Sequence, residues 1–598
     1  MRKYSKKAIS FMISIVCCST LIITVLSINF FLAKAYLISP RLGTPLCFSA
    51  SDGTGASSPI LNTESIYIGS DPAEVNVPNA WLDKSKWDVA ISHSMIDNCS
   101  LIELEIKSIS KCANPYVSIG IGDSSILSRN AIEMKVSIPL QVDACLYDLY
   151  VGYNIDLTTV SDLSTEPGAH IGETILGNLK TGSFVLSEAN AIYVPHEDDA
   201  TPSEPAKISD QFSMIQITDV HTATDSSGEW SNYLKMKALA ESISIWAPDV
   251  IIGTGDITNA PDDWPIEYLR SYDYYKNLGI PIIMANGNHD HSNLGLWDYY
   301  FGPIYSNIDW MGARFLQINT ATMLKGQTVN WVTQSIKKYA PENPLFVTCH
   351  IPLIDVLGRQ SQGYSASIMD AMLKYGGTAV LQGHNHYDMV MDGDKALNNF
   401  LNLMKTSLTT MEIEYFDDAC HTPDNVGIEA PDTDVTKMII TTSAAKNARP
   451  YKLTDSHVWD DYQGYLGYRR ITLADNKIAN YTYDLNEDGL RDPSYSTPIW
   501  NLGAEFSFDE YNLAGGANYT ITNNLTESIP NARVPFILPL QIGQTWQPKP
   551  SMGTEGVDYF LRVSVSNSTH EYREYRFKVP KRLDSEHPTI KTFEMELV

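Results

Sequence analysis

Thiols and cations are both scarce in this chain. Of 598 residues eight are cysteine, and no two have the Cys-x-x-Cys spacing of a thiolate metal site. Lys and Arg number 43 against 70 Asp and Glu, a formal net charge of −27, and charged residues of all kinds make up only 19%. Neutralising the phosphates of a nucleic-acid polymer takes Lys and Arg, so no such partner is expected. The acidity suits a soluble, exported surface instead. No repeat of fixed period is present. At this length one core does not suffice, and about three to four domains are expected.

One long hydrophobic run stands apart. Arg2, Lys3, Lys6 and Lys7 precede an uncharged stretch of 26 residues from Ala8 to Ala33, long enough to cross a bilayer. The basic flank stays cytoplasmic and sends everything after Lys34 outside. Ala33-Lys34-Ala35 also has the form of a signal-peptidase site, but the run is longer than a usual signal h-region. Residues 1–35 are therefore expected to be an uncleaved anchor, with a signal peptide cut at Ala35–Tyr36 as the alternative. The protein is expected on the extracellular face of the cell membrane, or secreted. Beyond Cys17 and Cys18 in the run lie Cys47, Cys99, Cys112, Cys145, Cys349 and Cys420. An even number permits disulfides outside the cell, and Cys99 with Cys112 or Cys145 is the expected pairing. Glycosylation tripeptides at Asn98, Asn480, Asn518, Asn524 and Asn567 fit export.

Short alternating runs such as Leu101–Lys107, Ala131–Ile138 and Leu146–Tyr153, separated by turn residues, predict a β-sandwich over residues 36–205. Asp143 to Tyr147 is similar to the tyrosine corner of immunoglobulin-like domains. After the acidic linker Glu197–Pro205 the rhythm becomes strand, helix, strand, with helices expected at Trp230–Trp246, Trp264–Leu278 and Val329–Tyr339. This α/β domain is placed at 206–495. Within it, residues 387–436 form an irregular insertion whose Glu412–Asp434 carries eight acidic residues and no Lys or Arg. Asp484–Asp492 has part of a Ca²⁺-loop pattern but Tyr495 where a bidentate Glu belongs, and reads as a polar turn. A second, smaller sandwich is expected over 496–598 (Phe506–Phe508, Asn518–Thr522, Phe536–Leu540, Phe560–Val565, Tyr575–Val579).

The rare residue type that is concentrated is histidine. Six of thirteen lie between Asp219 and His386, five of them in polar clusters and His291 just after one: Asp219-Val-His221, Gly255-Asp256, Gly287-Asn288-His289-Asp290, His350, and Gly383-His384-Asn385-His386. Each follows an apolar, β-prone run: Ser213–Thr218, Val250–Ile252, Pro281–Ala285, Leu345–Thr348 or Ala379–Gln382. Ligand groups collect at the carboxyl ends of strands in α/β sheets, so these clusters can converge on one rim. Carboxylate, amide and imidazole donors together suit Zn²⁺, Mn²⁺ or Fe.

All five clusters, in order over roughly Ser213 to Asp484, resemble the blocks of the calcineurin-like metallophosphoesterase family. The resemblance implies a four-layer α/β/β/α fold, here flanked by immunoglobulin-like sandwiches. It implies two divalent or trivalent metal ions: the first on Asp219, His221 and His386, the second on Asn288, His350 and His384, with Asp256 bridging. A metal-bound hydroxide would attack a phosphate ester in line, with catalytic His289 assisting the leaving oxygen and Asp290 orienting its imidazole. His291 receives no role. The purple acid phosphatases place a Tyr ligand three residues after the second-block Asp, where this chain has Asn259, and end the first block in Gly rather than His221. Many relatives have His-His-Pro where this chain has His350-Ile351-Pro352. The lack of a basic cluster tilts the expectation toward phosphodiesters. The rival expectation is a cell-surface adhesion protein whose metal-binding domain is structural.

Overall fold

Strands buried on both faces read as continuous apolar runs, and Val250–Thr254 is one, buried at every position. The computed structural model describes residues 34–48, 63–71, 77–113, 130–139, 142–143, 145–160, 163, 183–195, 212–322, 324–354, 365–386, 389–394, 397, 436–441, 443–446, 466–474, 477–481, 497–508, 516–584 and 586–598. The hydrophobic run, the acidic linker, most of the 387–436 insertion, the Ca²⁺-type turn and Cys420 lie outside them.

In the central unit β1 (Phe212–Ile217) is followed by α1 (Tyr233–Trp246), β2 (Val250–Thr254), α2 (Ile266–Leu278), β3 (Ile282–Ala285), α3 (Leu294–Tyr300), β4 (Ser306–Trp310) and β5 (Ala313–Gln317). Then come α4 (Gly326–Tyr339), β6 (Leu345–Thr348), α5 (Ser365–Tyr375), β7 (Ala379–Gln382), β8 (Met389–Asp392), β9 (Lys437–Ile440), β10 (Gly467–Ala474), β11 (Lys477–Tyr481) and β12 (Thr497–Pro498). One mixed sheet runs β3-β2-β1-β10-β11, with β12 on β10, and the other β4-β5-β6-β7-β9-β8. The strands preceding the polar clusters are parallel within each sheet.

Alternation sorts side chains into layers. Met214, Val250, Ile252 and Ile283 of the first sheet meet Phe315, Phe346, Leu381 and Ile439 of the second in one core. Their neighbours Ile215, Ile251, Ile282, Leu316, Leu345 and Val380 pack with the buried faces of the helices, among them Met236 and Leu239 of α1 and Val332 and Ile336 of α4. The result is the expected helix, sheet, sheet, helix order. Tyr233, expected on the apolar face of α1, is 51% exposed because it opens the helix rather than lying under it. The short strand β12 pairs with β10.

Two further pairs of sheets flank this unit. Over 34–195, sheets of four and five strands share a core in which Ile66, Ile68 and Met134 meet Val89, Leu149 and Val151. The Tyr147 hydroxyl donates to the Asp143 carbonyl at 2.6 Å, the bond a tyrosine corner makes. The expected strand Leu101–Lys107 is divided: Ile102–Glu103 joins one sheet and Glu105–Ala113 the other, with buried Leu104 at the crossing. Cys99, Cys112 and Cys145 are free thiols, correcting the expected disulfide. Cys112 lies on the edge strand Glu105–Ala113, whereas burial, chiefly, and Glu574 push the Cys145 thiol up to about 12, at the border with the C-terminal unit. Over 502–598, sheets of four and three strands enclose Ile521, Phe593, Val534 and Phe536.

The units are joined by buried polar groups. Arg533 reaches Glu574 (2.7 Å), the carbonyl of Leu278 in α2 (2.9 Å) and Tyr572 (3.1 Å). Arg41 pairs with Glu188 at 2.7 Å, and Glu188 accepts from Tyr272 of α2 at 3.1 Å. Ile245 of α1 is part of the C-terminal core. No helix among the described residues is long and apolar enough to cross a membrane.

Candidate metal centre

Because β1, β2, β3, β6 and β7 end on one side of their sheets, the loops that follow them share a rim. The clusters predicted from sequence meet there. Asp219, His221 and His386 form one group of potential ligand atoms, Asp256, His350 and His384 a second, and His221, Asp256 and His289 a third. His386 Nε2 lies 3.1 Å from Asp219 Oδ1, and His350 Nε2 lies 3.1 Å from Asp256 Oδ2. His221 Nε2 lies 3.7 Å from Asp219 Oδ1 and 3.6 Å from Asp256 Oδ2, between the two carboxylates.

Close approach has a backbone cost. Asp219, His221, Asp256, His384 and His386 all have positive φ, between 48° and 70°, a conformation costing about 1–3 kcal/mol per non-glycine residue. Gly287 is needed because a Cβ there would lie 2.1 Å from Asp256 Oδ1, and Gly255 because its φ is +92° and a Cβ would lie 2.7 Å from the His350 ring.

The carboxylates are each half used by the protein. Asp219 Oδ2 accepts from the Thr218 hydroxyl (2.8 Å) and the His384 backbone N–H (2.9 Å), and Asp256 Oδ1 accepts from the His289 backbone N–H (2.8 Å). His350 Nδ1 donates to the Thr254 carbonyl at 2.7 Å, so the neutral ring has its lone pair on Nε2. Among the described residues, the buried atoms Asp219 Oδ1, His221 Nε2, Asn288 Oδ1 and His350 Nε2 have no hydrogen-bond partner. These are lone-pair donors of the kinds a borderline metal takes, so the residues present fit such an ion.

Charge is concentrated here. Burial raises Asp219 and Asp256, but the nearby His350 ring outweighs it, with His386 helping at Asp219 and His221 at Asp256, and both carboxyls are held below their ordinary range. Burial would lower His350, yet Asp256 and Asp219 push it up to about 9. Burial lowers His221 and His384 to about 4. Without a cation, the charge of the two carboxylates favours the protonated form of the His350 ring.

His289 is the exposed member, its side chain 36% accessible, and its Nδ1 donates to the Asn259 carbonyl. Asp290 does not touch that ring. Its Oδ1 accepts from the Thr258 N–H (2.9 Å) and hydroxyl (2.7 Å) and its Oδ2 from the Gly287 N–H (2.8 Å), so it clamps the loops after β2 and β3. Burial, reinforced by Asp256, pushes Asp290 up to about 6. Its expected contact with His289 is thus replaced by the backbone of Asn259. His291 Nδ1 meets the Asn319 amide at 3.1 Å.

Sequence reading missed three participants. Glu267, fully buried, accepts from the N–H groups of Thr224 (2.8 Å), Asn259 (2.9 Å) and Ala260 (2.7 Å). Lys446 Nζ donates to Asn259 Oδ1 at 2.7 Å and lies 3.3 Å from His221 Nδ1. Ser443 Oγ donates to the Asp219 carbonyl at 2.8 Å. Ser443 and Lys446 follow β9 as the predicted clusters follow their strands, and that position was the available signal.

A sequence model of the calcineurin-like phosphoesterase family matches residues 212–388. A protein of Synechococcus sp. described as a probable cyclic nucleotide phosphodiesterase is 24% identical over 216 residues, covering 33% of this chain and 81% of that protein. Among solved structures, a purple acid phosphatase of yellow lupin overlaps at a TM-score of 0.38 and 10% identity, covering 73% of this chain and 72% of its own. A dimetal phosphatase of Danio rerio overlaps at 0.29 and 9%, covering 44% of this chain and 93% of its own. With the family match lying over the convergent clusters, residues 212–388 form a calcineurin-like phosphoesterase domain, and the chain is a metal-dependent phosphoester hydrolase.

Proposed function

We propose that the chain is an exported phosphoesterase with a two-metal centre, cleaving phosphodiesters in preference to monoesters. The observation that carries this reading is the set of four partnerless buried atoms on Asp219, His221, Asn288 and His350. An unsatisfied buried polar atom costs about 1–3 kcal/mol, a cost a cation would remove. Asp219, His221 and His386 would hold one ion and Asn288, His350 and His384 the other. The Asp256 carboxylate would supply the shared negative charge that adjacent cations need. Zn²⁺, Mn²⁺ or Fe suits this donor set. When bound, such ions polarise phosphoryl oxygens and lower the pKa of a nucleophilic water toward about 7.

The chain's own groups orient and protonate. With Nδ1 committed to the Asn259 carbonyl, the Nε2 of His289 is left for substrate, 3.9 Å from Asp256 Oδ2 on a side chain 36% accessible. Protonated there, it donates to the leaving oxygen as the P–O bond breaks. Asp290 is a positioning residue that keeps the loops of Asp256 and His289 in register. The scarcity of Lys and Arg, and the description of the Synechococcus relative, favour diesters. Export rests on the basic flank and hydrophobic run of residues 1–35, and the domain limits 36–205, 206–495 and 496–598, with immunoglobulin-like flanks, belong to the same proposal.

The test is hydrolysis of bis-p-nitrophenyl phosphate and p-nitrophenyl phosphate by the full chain with Mn²⁺, Zn²⁺ or Fe²⁺, beside Asp256→Asn. Turnover that requires metal, prefers the diester and is lost in Asp256→Asn is expected. Two bound metals with no turnover on either ester would move the reading to a surface binding protein.

A further inference from the structure

The histidines of this centre are held by different groups at their far ring nitrogens. His350 Nδ1 faces the Thr254 carbonyl at 2.7 Å, and His289 Nδ1 faces the Asn259 carbonyl. Each carbonyl accepts from the Nδ1–H, so a neutral ring has its lone pair on Nε2. His221 Nδ1 instead faces the Lys446 ammonium at 3.3 Å. Lys446 is fixed in place: Asn259 Oδ1 accepts from its Nζ at 2.7 Å, its backbone N–H donates to Ser443 Oγ at 3.1 Å, and its carbonyl accepts from Lys235 Nζ at 3.0 Å.

An ammonium has protons to give and no lone pair, and a neutral imidazole carries one ring proton. If His221 Nδ1 accepts from Lys446, the ring proton sits on Nε2, and that nitrogen has no lone pair for a cation. If Nε2 binds a cation, Nδ1 carries the proton and points it at an ammonium, donor against donor. Groups that accept from the far nitrogen of a ligand histidine raise its basicity and strengthen the metal bond. Lys446 does the reverse, and adds a positive charge behind the ligand.

Building on the ligand assignment above, we propose that Lys446 makes the Asp219–His221–His386 position the weaker of the two metal positions. It fills second and exchanges readily, and it disfavours a trivalent ion. The Asp256–His350–His384 position, backed by a carbonyl, fills first.

The test is titration of the full chain, stripped of metal, with Mn²⁺, free ion being followed by electron paramagnetic resonance and heat by calorimetry. Two classes of site are expected. His221→Asn should abolish the weaker class and His350→Asn the tighter one. Lys446→Gln should tighten the weaker class by about tenfold, the scale of effects from groups behind a metal ligand, and leave the tighter class alone. Lys446→Arg, which keeps the cation, should leave both near the parent values. Lys446→Met removes the same charge and carries the same expectation if the Gln variant does not fold. Unchanged affinities in both neutral variants, or loss of the tighter class in His221→Asn, would overturn the proposal while leaving a two-metal centre intact. A parent chain that binds no Mn²⁺, Zn²⁺ or Fe²⁺ would overturn the ligand assignment itself.

Discussion

His289 sits where a ligand ends and chemistry begins: its backbone N–H steadies Asp256, its Nδ1 is tied to Asn259, and its side chain is 36% accessible. His289→Ala is therefore expected to lower kcat on a p-nitrophenyl ester by about 10²–10⁴-fold, with bound metal unchanged by elemental analysis. His350 gives a pH-dependent expectation. Its folded value, pushed up to about 9 from an ordinary 6.5, stabilises the metal-free protein. That contribution is fully present below pH 6.5 and lost as pH rises through about 9. At pH 7 a cation taking Nε2 displaces this proton. Calorimetric titration in buffers of different ionisation enthalpy should show about one proton released at that position, and no release would contradict it.

At the scale of elements, every cluster is delivered by a strand end and a tight loop, so small changes in loops matter more than changes in helices. Gly287→Ala places a methyl 2.1 Å from Asp256 Oδ1. Loss of metal binding with an unchanged far-ultraviolet circular dichroism spectrum is the expected outcome. This delivery was also what the sequence made legible. The runs Leu345–Thr348 and Ala379–Gln382 are strands to the residue, because period and turn residues are local signals. The partners of Asp290 were not legible. Adjacency to His289 in sequence hid the fact that its carboxylate turns back to Thr258 and Gly287. Lys446 was hidden by the long insertion before its strand, and the division at Leu104 by a pattern that alternates correctly on both sides of the crossing.

For the whole molecule, Arg533 is the connection that burial makes costly to lose. It holds Glu574 within the C-terminal sheets and a carbonyl at the end of α2. Burial raises Glu574, but Arg533 and Arg576 outweigh it and hold it near 2. Arg533→Met leaves that carboxylate without its main partner, and a loss of about 3–5 kcal/mol is expected for breaking a buried pair, read as a lowered urea midpoint. A C-terminal unit that then melts in a separate transition would show that the pair couples it to the catalytic domain; an unchanged midpoint would show that it does not. The centre itself spans the two middle layers. Asp219, His221 and Asp256 follow strands of one sheet, and His350, His384 and His386 follow strands of the other. Ions held by both sets, as proposed, would tie the sheets face to face, and sheets that separate would first give up their ions. Thermal resistance would then be a function of free metal concentration. A chelator, though it touches no peptide group, would act on this protein as a mild denaturant.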